Sequence, residues 1–169
     1  GDTYISPIGI YTQNKKYKSL QDLPERAKIG IPNDPSNQTR SLVVLRDNGL
    51  ITLKGGVDPA KGTISLADVA GNPKNVQFVE TTSVVLARSL PDVDAAAIVN
   101  TFAFQQGLIA TRDGIAVEKR ENNPYVNIIV VREQDKDAAW VKPLVASYQS
   151  EDVRRFIQQK FEGSVIPAF

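Results

Sequence analysis

The sequence contains neither cysteine nor histidine among its 169 residues. The lack of cysteine excludes disulfides, cysteine-ligated zinc, iron–sulfur clusters and thiol catalysis. The lack of histidine excludes a Ser-His-Asp triad and removes the commonest metal ligand. Neither a P-loop nor a GxGxxG motif is present. We therefore expect a protein that is not an enzyme and that holds no metal and no cofactor.

The chain also lacks an excess of charge of one sign and any long hydrophobic run. Its 20 Lys and Arg residues balance 19 Asp and Glu residues, which leaves a net charge of +1. Because the charges balance so evenly, the chain has no strong electrostatic field to attract nucleic acid, and no nucleic-acid partner is expected. The longest apolar runs, such as 128–131, are far too short to span a bilayer, and the first residues do not form a signal peptide.

Short apolar runs alternate with helical patterns along the chain, which predicts an α/β fold. The segment 33–35 (NDP) predicts a helix start, because Asp34 suits the N-cap and Pro35 the first helical position. The strand predicted at 95–99 (AAAIV) is apolar throughout, as in strands buried on both faces. Periodicity alone leaves two architectures open: a single doubly wound domain, or two lobes joined by crossing strands.

Several segments of the sequence are distinctive in composition and order. They are IPNDPSNQTRSLVVL (31–45), GLITLKGG (49–56), NPKNVQFVE (72–80), ARSL (87–90), AAAIVNT (95–101), NPYVNIIVVRE (123–133) and YQSEDV (148–153). Together they resemble the NlpA-type methionine-binding lipoproteins, the substrate-binding components of bacterial methionine ABC importers. The resemblance covers essentially the whole chain.

The resemblance implies a type-2 periplasmic-binding-protein fold, with one complete lobe and the C-terminal part of the other. Residues 1–14 would form a crossing strand and the end of the first lobe. Residues 15–121 would form the second lobe, and residues 122–169 a crossing strand with C-terminal helices that return to the first lobe. Family members begin with a lipoprotein signal peptide, a lipidated cysteine and most of the first lobe, so this chain matches their latter part.

The function implied by the resemblance is that of a solute-binding protein of an ABC importer. It would bind methionine or a related apolar amino acid between two lobes, and its partners would be the transporter's membrane subunits. The full-length protein would be lipid-anchored in the periplasm or at the cell surface. Two alternatives stay open. One is an effector-sensing regulatory domain of the same fold, although the sequence contains no helix-turn-helix. The other is a fragment that binds nothing.

The resemblance also assigns three ligand-binding residues. Arg40 would bind the ligand carboxylate with Asn37 close by, since residues three apart share one helical face. The resemblance also places Asn100 at the amino-acid head group, and its position fits: it follows a predicted strand, and ligands of open α/β sheets bind at strand carboxyl ends. From the residues alone, Arg40 is more typical of a solvated surface helix, and Asn100 of a helix cap.

Two consecutive helices are predicted near the C-terminus, over 137–149 and 150–161. We expect their apolar faces to be exposed in an isolated monomer, since the strands that would cover them are missing from the chain. These faces carry Trp140, Leu144, Val145, Phe156 and Ile157. The sequence therefore predicts that the isolated chain self-associates.

Overall fold

A computed structural model describes residues 1–121 and 123–169 and divides the chain into two compact units. The larger one, here called the central unit, comprises residues 7–119. The smaller one, the terminal unit, comprises residues 1–6 and 120–169. The lobe boundaries expected after residues 14 and 121 remain predictions, and Asn122, which would begin the last segment, lies outside the described residues.

Ten strands and six α-helices occur within the described parts of the chain. The strands are β1 (Asp2–Ile5), β2 (Ile8–Tyr11), β3 (Lys28–Pro32), β4 (Thr52–Leu53), β5 (Val69–Gly71), β6 (Gln77–Thr81), β7 (Ala95–Val99), β8 (Gly114–Val117), β9 (Val126–Ile128) and β10 (Ile166–Pro167). The helices are α1 (Pro35–Asp47), α2 (Ser83–Leu86), α3 (Asn100–Gln105), α4 (Ala110–Asp113), α5 (Val141–Tyr148) and α6 (Glu151–Phe161).

The central unit is built on a five-stranded sheet of order β6-β3-β7-β2-β8. Strand β3 pairs in parallel with both β6 and β7, whereas β2 runs antiparallel to β7 and β8. The carboxyl ends of β3, β6, β7 and β8 therefore meet at one edge, together with the start of β2. We call this edge the carboxyl edge. A separate two-stranded sheet pairs β4 with β5.

Side chains alternate between the two faces of this sheet with the two-residue period of a strand. One face is covered by α1 and carries the isoleucines of β2 and β3 with Ala95 and Ala97. The other face carries Tyr11, Ala96 and Ile98, which pack against residues of α2, α3 and α4. The central unit therefore has three layers, with β7 buried on both faces as its apolar sequence predicts.

The terminal unit contains a three-stranded sheet of order β10-β1-β9, and β1 runs antiparallel to both neighbours. Helices α5 and α6 begin near the predicted positions. Trp140, Leu144 and Phe156 are exposed, as expected for these segments, but Ile157 is buried and Val145 is partly buried. The expectation was therefore wrong for Ile157, which α6 turns towards the interior.

At the opposite end of the central sheet from the carboxyl edge, Asp113 ends α4. The Asp113 carboxylate accepts hydrogen bonds from the Arg112 side chain and the Ile109 backbone N–H, and Lys15 Nζ lies 3.2 Å away. These contacts lower the pKa of Asp113 to about 2, although burial alone would raise it. A carboxyl group with a lowered pKa stabilises the fold above its unfolded-state pKa of about 3.9.

The stability that Asp113 contributes should therefore be lost as the pH falls from about 4 to about 2. We expect Asp113→Asn to be less stable than the wild type at neutral pH, and the difference to vanish near pH 2. Urea unfolding of both proteins across this range measures it. A difference that stays constant with pH would contradict the assignment.

Candidate functional site

The candidate site lies at the carboxyl edge of the central sheet, where α1 follows β3 and α3 follows β7. Because β3 and β7 are parallel neighbours, the starts of both helices lie side by side. Ligands of open α/β sheets bind at this kind of edge. The topology thus brings the α1 segment with Asn37 and Arg40 to the same edge as Asn100.

Helix α1 begins as its sequence predicts. The Asp34 carboxylate accepts a hydrogen bond from the Asn37 backbone N–H at 2.9 Å, and Pro35 occupies the first helical turn. Asp34 also accepts from the Asn37 side-chain amide at 3.2 Å and from the Ser83 hydroxyl at 3.3 Å. These bonds fix the start of α1 and the orientation of Asn37 relative to the start of α2.

Arg40 is buried in a bidentate ion pair with Glu118, the residue directly after β8. Its Nε donates to Glu118 Oε1 at 2.9 Å and its Nη2 to Oε2 at 2.6 Å. The side chains of Arg40 and Glu118 are only 9% and 7% exposed. Arg40 is therefore not the solvated surface arginine that its sequence context also allows.

The same arginine is tied to Asn37, since Arg40 Nη1 donates to Asn37 Oδ1 at 3.2 Å. The expected shared helical face is thus observed as a direct hydrogen bond. Asp34, Asn37, Arg40 and Glu118 form one continuous network, which we call the head-group network. It extends from the N-terminus of α1 to the end of β8.

Glu118 also holds the backbone of β2. The N–H of Ile8 donates to Glu118 Oε2 at 3.0 Å. Ile8 lies two positions after Ser6, the last residue of the first terminal-unit segment, and Glu118 lies two positions before Arg120. The two boundaries of the central unit, between residues 6 and 7 and between residues 119 and 120, therefore lie within two residues of Ile8 and Glu118 in the sequence.

Asn100 is the first residue of α3 and is only 1% exposed. Its Oδ1 is buried and accepts no hydrogen bond from any described residue. A buried acceptor without a donor costs about 1–3 kcal/mol, so it is an unusual feature of a folded protein. The side chain does not cap α3, whose N-cap position is Val99. The alternative interpretation of Asn100 as a helix cap is therefore wrong.

The structure places all three predicted ligand-binding residues at the carboxyl edge and brings Asn37 and Arg40 into contact. Sequence reasoning missed Glu118, because Arg40 and Glu118 are 78 positions apart. The only local signal was a carboxylate placed directly after an apolar strand.

Chemically, this arrangement suits a polar ligand that carries both charges. A guanidinium beside amide groups can hold a carboxylate, and buried carboxylate and amide oxygens can accept from an ammonium group. Within residues 1–121 and 123–169, no three Asp or Glu side chains cluster in a way that could hold a metal ion. No described helix is long and apolar enough to cross a membrane.

Comparison with known proteins identifies close relatives. The chain is 44% identical over 168 residues to the D-methionine-binding lipoprotein MetQ of Escherichia coli strain K12, covering 98% of this chain and 60% of the relative. It is 42% identical over 166 residues to a probable D-methionine-binding lipoprotein MetQ of Pasteurella multocida, covering 98% of this chain and 58% of the relative. The chain thus spans somewhat less than two thirds of the curated relatives it matches.

The fold has a close counterpart among solved structures. A nutrient-binding protein from Burkholderia cenocepacia bound to methionine matches with a TM-score of 0.93 and 46% sequence identity, covering all of this chain and 69% of the other. This match confirms the predicted α/β, periplasmic-binding-protein type of fold. The NlpA lipoprotein family model matches residues 1–169. The chain therefore belongs to the NlpA lipoprotein family.

Proposed function

We propose that this chain is the larger part of a solute-binding protein of an ABC importer that binds methionine or a related apolar amino acid. The observation that carries the proposal is the carboxyl edge, where the buried Arg40 and the unpartnered Oδ1 of Asn100 occur together. Relatives named for D-methionine binding and a methionine-bound structural match support the same ligand class.

In this proposal, Arg40 binds the ligand carboxylate and Asn37 holds the arginine in place. Asn100 receives the ligand's ammonium group, because its buried Oδ1 is an acceptor that needs a donor. The ligand's apolar side chain makes no contact with these three residues. The protein binds and releases its ligand without chemical change.

The partners and location follow from the same proposal. The ligand-bound protein delivers its amino acid to the membrane subunits of the transporter. The complete protein acts outside the cytoplasmic membrane and is attached to it by a lipid, as the lipoprotein names of the relatives suggest. Self-association of the isolated chain through Trp140, Leu144 and Phe156 remains a prediction, and sedimentation velocity at several concentrations tests it.

The test measures binding of a panel of amino acids, including both enantiomers of methionine, to the complete gene product by calorimetry. Asn100→Ala should weaken the binding of every amino-acid ligand by a similar free energy, about 1–3 kcal/mol, because all of them share the same head group. The preference among side chains should stay unchanged.

Asn48→Ala is the matched control. Asn48 is exposed at the C-terminal end of α1, where its amide donates to the Val44 carbonyl, far along the helix from the candidate site. This variant should bind like the wild type. A preference order that changes with Asn100→Ala would place Asn100 on the ligand side chain instead. No binding of any amino acid to the wild type would overturn the proposed function.

A further inference from the structure

The head-group network holds more negative than positive charge. The head-group network contains one guanidinium, that of Arg40, and two carboxylates, those of Asp34 and Glu118. The network therefore sums to one negative charge. An arginine without these carboxylates would present a buried positive charge, which attracts any anion.

Glu118 is the carboxylate that acts on Arg40 directly. It accepts from Nε at 2.9 Å and from Nη2 at 2.6 Å, so it fixes the plane and one full edge of the guanidinium. Planar, bidentate pairs of this kind are geometrically specific as well as strong. The pair is buried, so its charges are screened by solvent far less than those of a surface pair.

The third hydrogen bond to Glu118 keeps the carboxylate itself in place. Ile8 N–H donates to the same Oε2 that accepts from Arg40 Nη2. Glu118 therefore cannot rotate away from Arg40 without giving up a buried backbone hydrogen bond. Its negative charge is a fixed part of the site.

We propose that Glu118 is a positioning and specificity-determining residue: it orients Arg40, and its charge makes the site select net-neutral zwitterions over simple carboxylates. The inference rests on the proposed function, since it concerns the ligand that Arg40 binds. A zwitterion brings an ammonium group that the surplus negative charge stabilises. A simple carboxylate brings one more negative charge to a network that already has a surplus, and it is disfavoured.

The test compares two ligands that differ only in the ammonium group. These are methionine, as the enantiomer that binds more tightly, and 4-(methylthio)butanoate, its analogue without the amino group. Dissociation constants are measured by calorimetry on the complete gene product. The readout is the ratio of the analogue's dissociation constant to that of methionine, because a purely structural defect would weaken both ligands alike and leave this ratio unchanged.

Glu118→Gln keeps the shape of the side chain and one acceptor oxygen but removes its charge. We expect the ratio to fall by about tenfold or more in this variant, the size of effect that a nearby buried charge exerts. Asp113→Asn is the matched control, because the Asp113 side chain is also 7% exposed and ion-paired to an arginine, but at the opposite end of the sheet. Its ratio should equal that of the wild type.

Each outcome decides between the two proposals. A wild type that binds the analogue as tightly as methionine, or a Glu118→Gln ratio equal to that of the wild type, overturns the role of Glu118 and leaves methionine binding intact. A wild type that binds no amino acid overturns the proposed function and this inference together.

If Glu118→Gln does not fold, two other variants provide the test. Asp34→Asn removes the other carboxylate charge of the head-group network, which reaches Arg40 through Asn37, so the ratio should fall by about threefold or more. Glu118→Asp keeps the charge at position 118, so its ratio should stay close to that of the wild type. A wild-type ratio in Asp34→Asn, or a tenfold fall in Glu118→Asp, would overturn the inference.

Discussion

Replacing Arg40 with alanine is expected to lower the free energy of unfolding by about 3–5 kcal/mol, because it leaves the buried Glu118 carboxylate without its cationic partner. The Glu118 side chain is 7% exposed, so water cannot replace the two lost hydrogen bonds. Equilibrium urea unfolding of the wild type and Arg40→Ala measures the difference, with the midpoint and the slope reported separately.

Helix α1 offers its own control in Arg46. Its guanidinium pairs with Asp47 at 2.7 Å, but this side chain is 34% exposed. Arg46→Ala should change the free energy of unfolding by no more than about 1 kcal/mol. If Arg40→Ala and Arg46→Ala lower the free energy of unfolding equally, the effect comes from truncating an arginine side chain on α1 and not from breaking the buried ion pair.

Measuring Arg40→Ala in the Glu118→Gln variant separates the effect of the Arg40 charge from the effect of its packing. In Glu118→Gln the carboxylate is already neutral, so the further change Arg40→Ala no longer strands a buried anion. The loss caused by Arg40→Ala should therefore be smaller there than in the wild type. The difference between the two losses gives the coupling energy of the pair. A coupling energy near zero would rule out a stabilising interaction between Arg40 and Glu118.

The parts of this structure that local chemistry determines could be predicted from the sequence. Asp34 and Pro35 start α1 because a capping carboxylate followed by proline satisfies the first amides of a helix. The apolar run 95–99 forms a strand buried on both faces, and Asn100 follows at its carboxyl end. The positions of Asn37 and Arg40 on one face follow from the helical repeat.

The parts that depend on distant pairing could not be predicted. Nothing near Glu118 in the sequence shows that its partners are Arg40 and Ile8, which lie 78 and 110 positions away. The segment 65–70 is another such case. In the structure, a single 3₁₀ turn at Leu66–Asp68 leads into β5. Strand β5 pairs antiparallel with β4, and Thr52 lies opposite Gly71. Tertiary pairing there overrides local propensity.

Gly9 shows the same dependence on packing, and its replacement by alanine has a large expected effect. Gly9 lies in β2 on the face that carries Tyr11, whose ring folds back along the strand over it. A Cβ at position 9 would lie 2.7 Å from Tyr11 Cζ, 2.7 Å from its hydroxyl oxygen and 2.8 Å from Cε2. Tyr11 is fully buried, so its ring cannot move aside without displacing other core residues.

We expect Gly9→Ala to lower the free energy of unfolding by about 3 kcal/mol, at the upper end for overpacking of a core. Gly55→Ala is the control, because a Cβ there meets nothing within 4 Å and its backbone is not left-handed. That variant should be neutral or slightly more stable, since alanine restricts the unfolded chain. Thermal and urea unfolding of both variants measure the contrast.

The clash itself is tested by shrinking its other partner. Tyr11→Phe should not relieve it, because two ring carbons lie as close as the hydroxyl oxygen. Tyr11→Val removes the ring, so Gly9→Ala should cost much less stability in that background than in the wild type. An equal cost in both backgrounds would mean that Gly9 is required by its backbone and not by the ring above it. The ring over Gly9 would then have no part in fixing β2, the strand whose first N–H holds Glu118 beside Arg40.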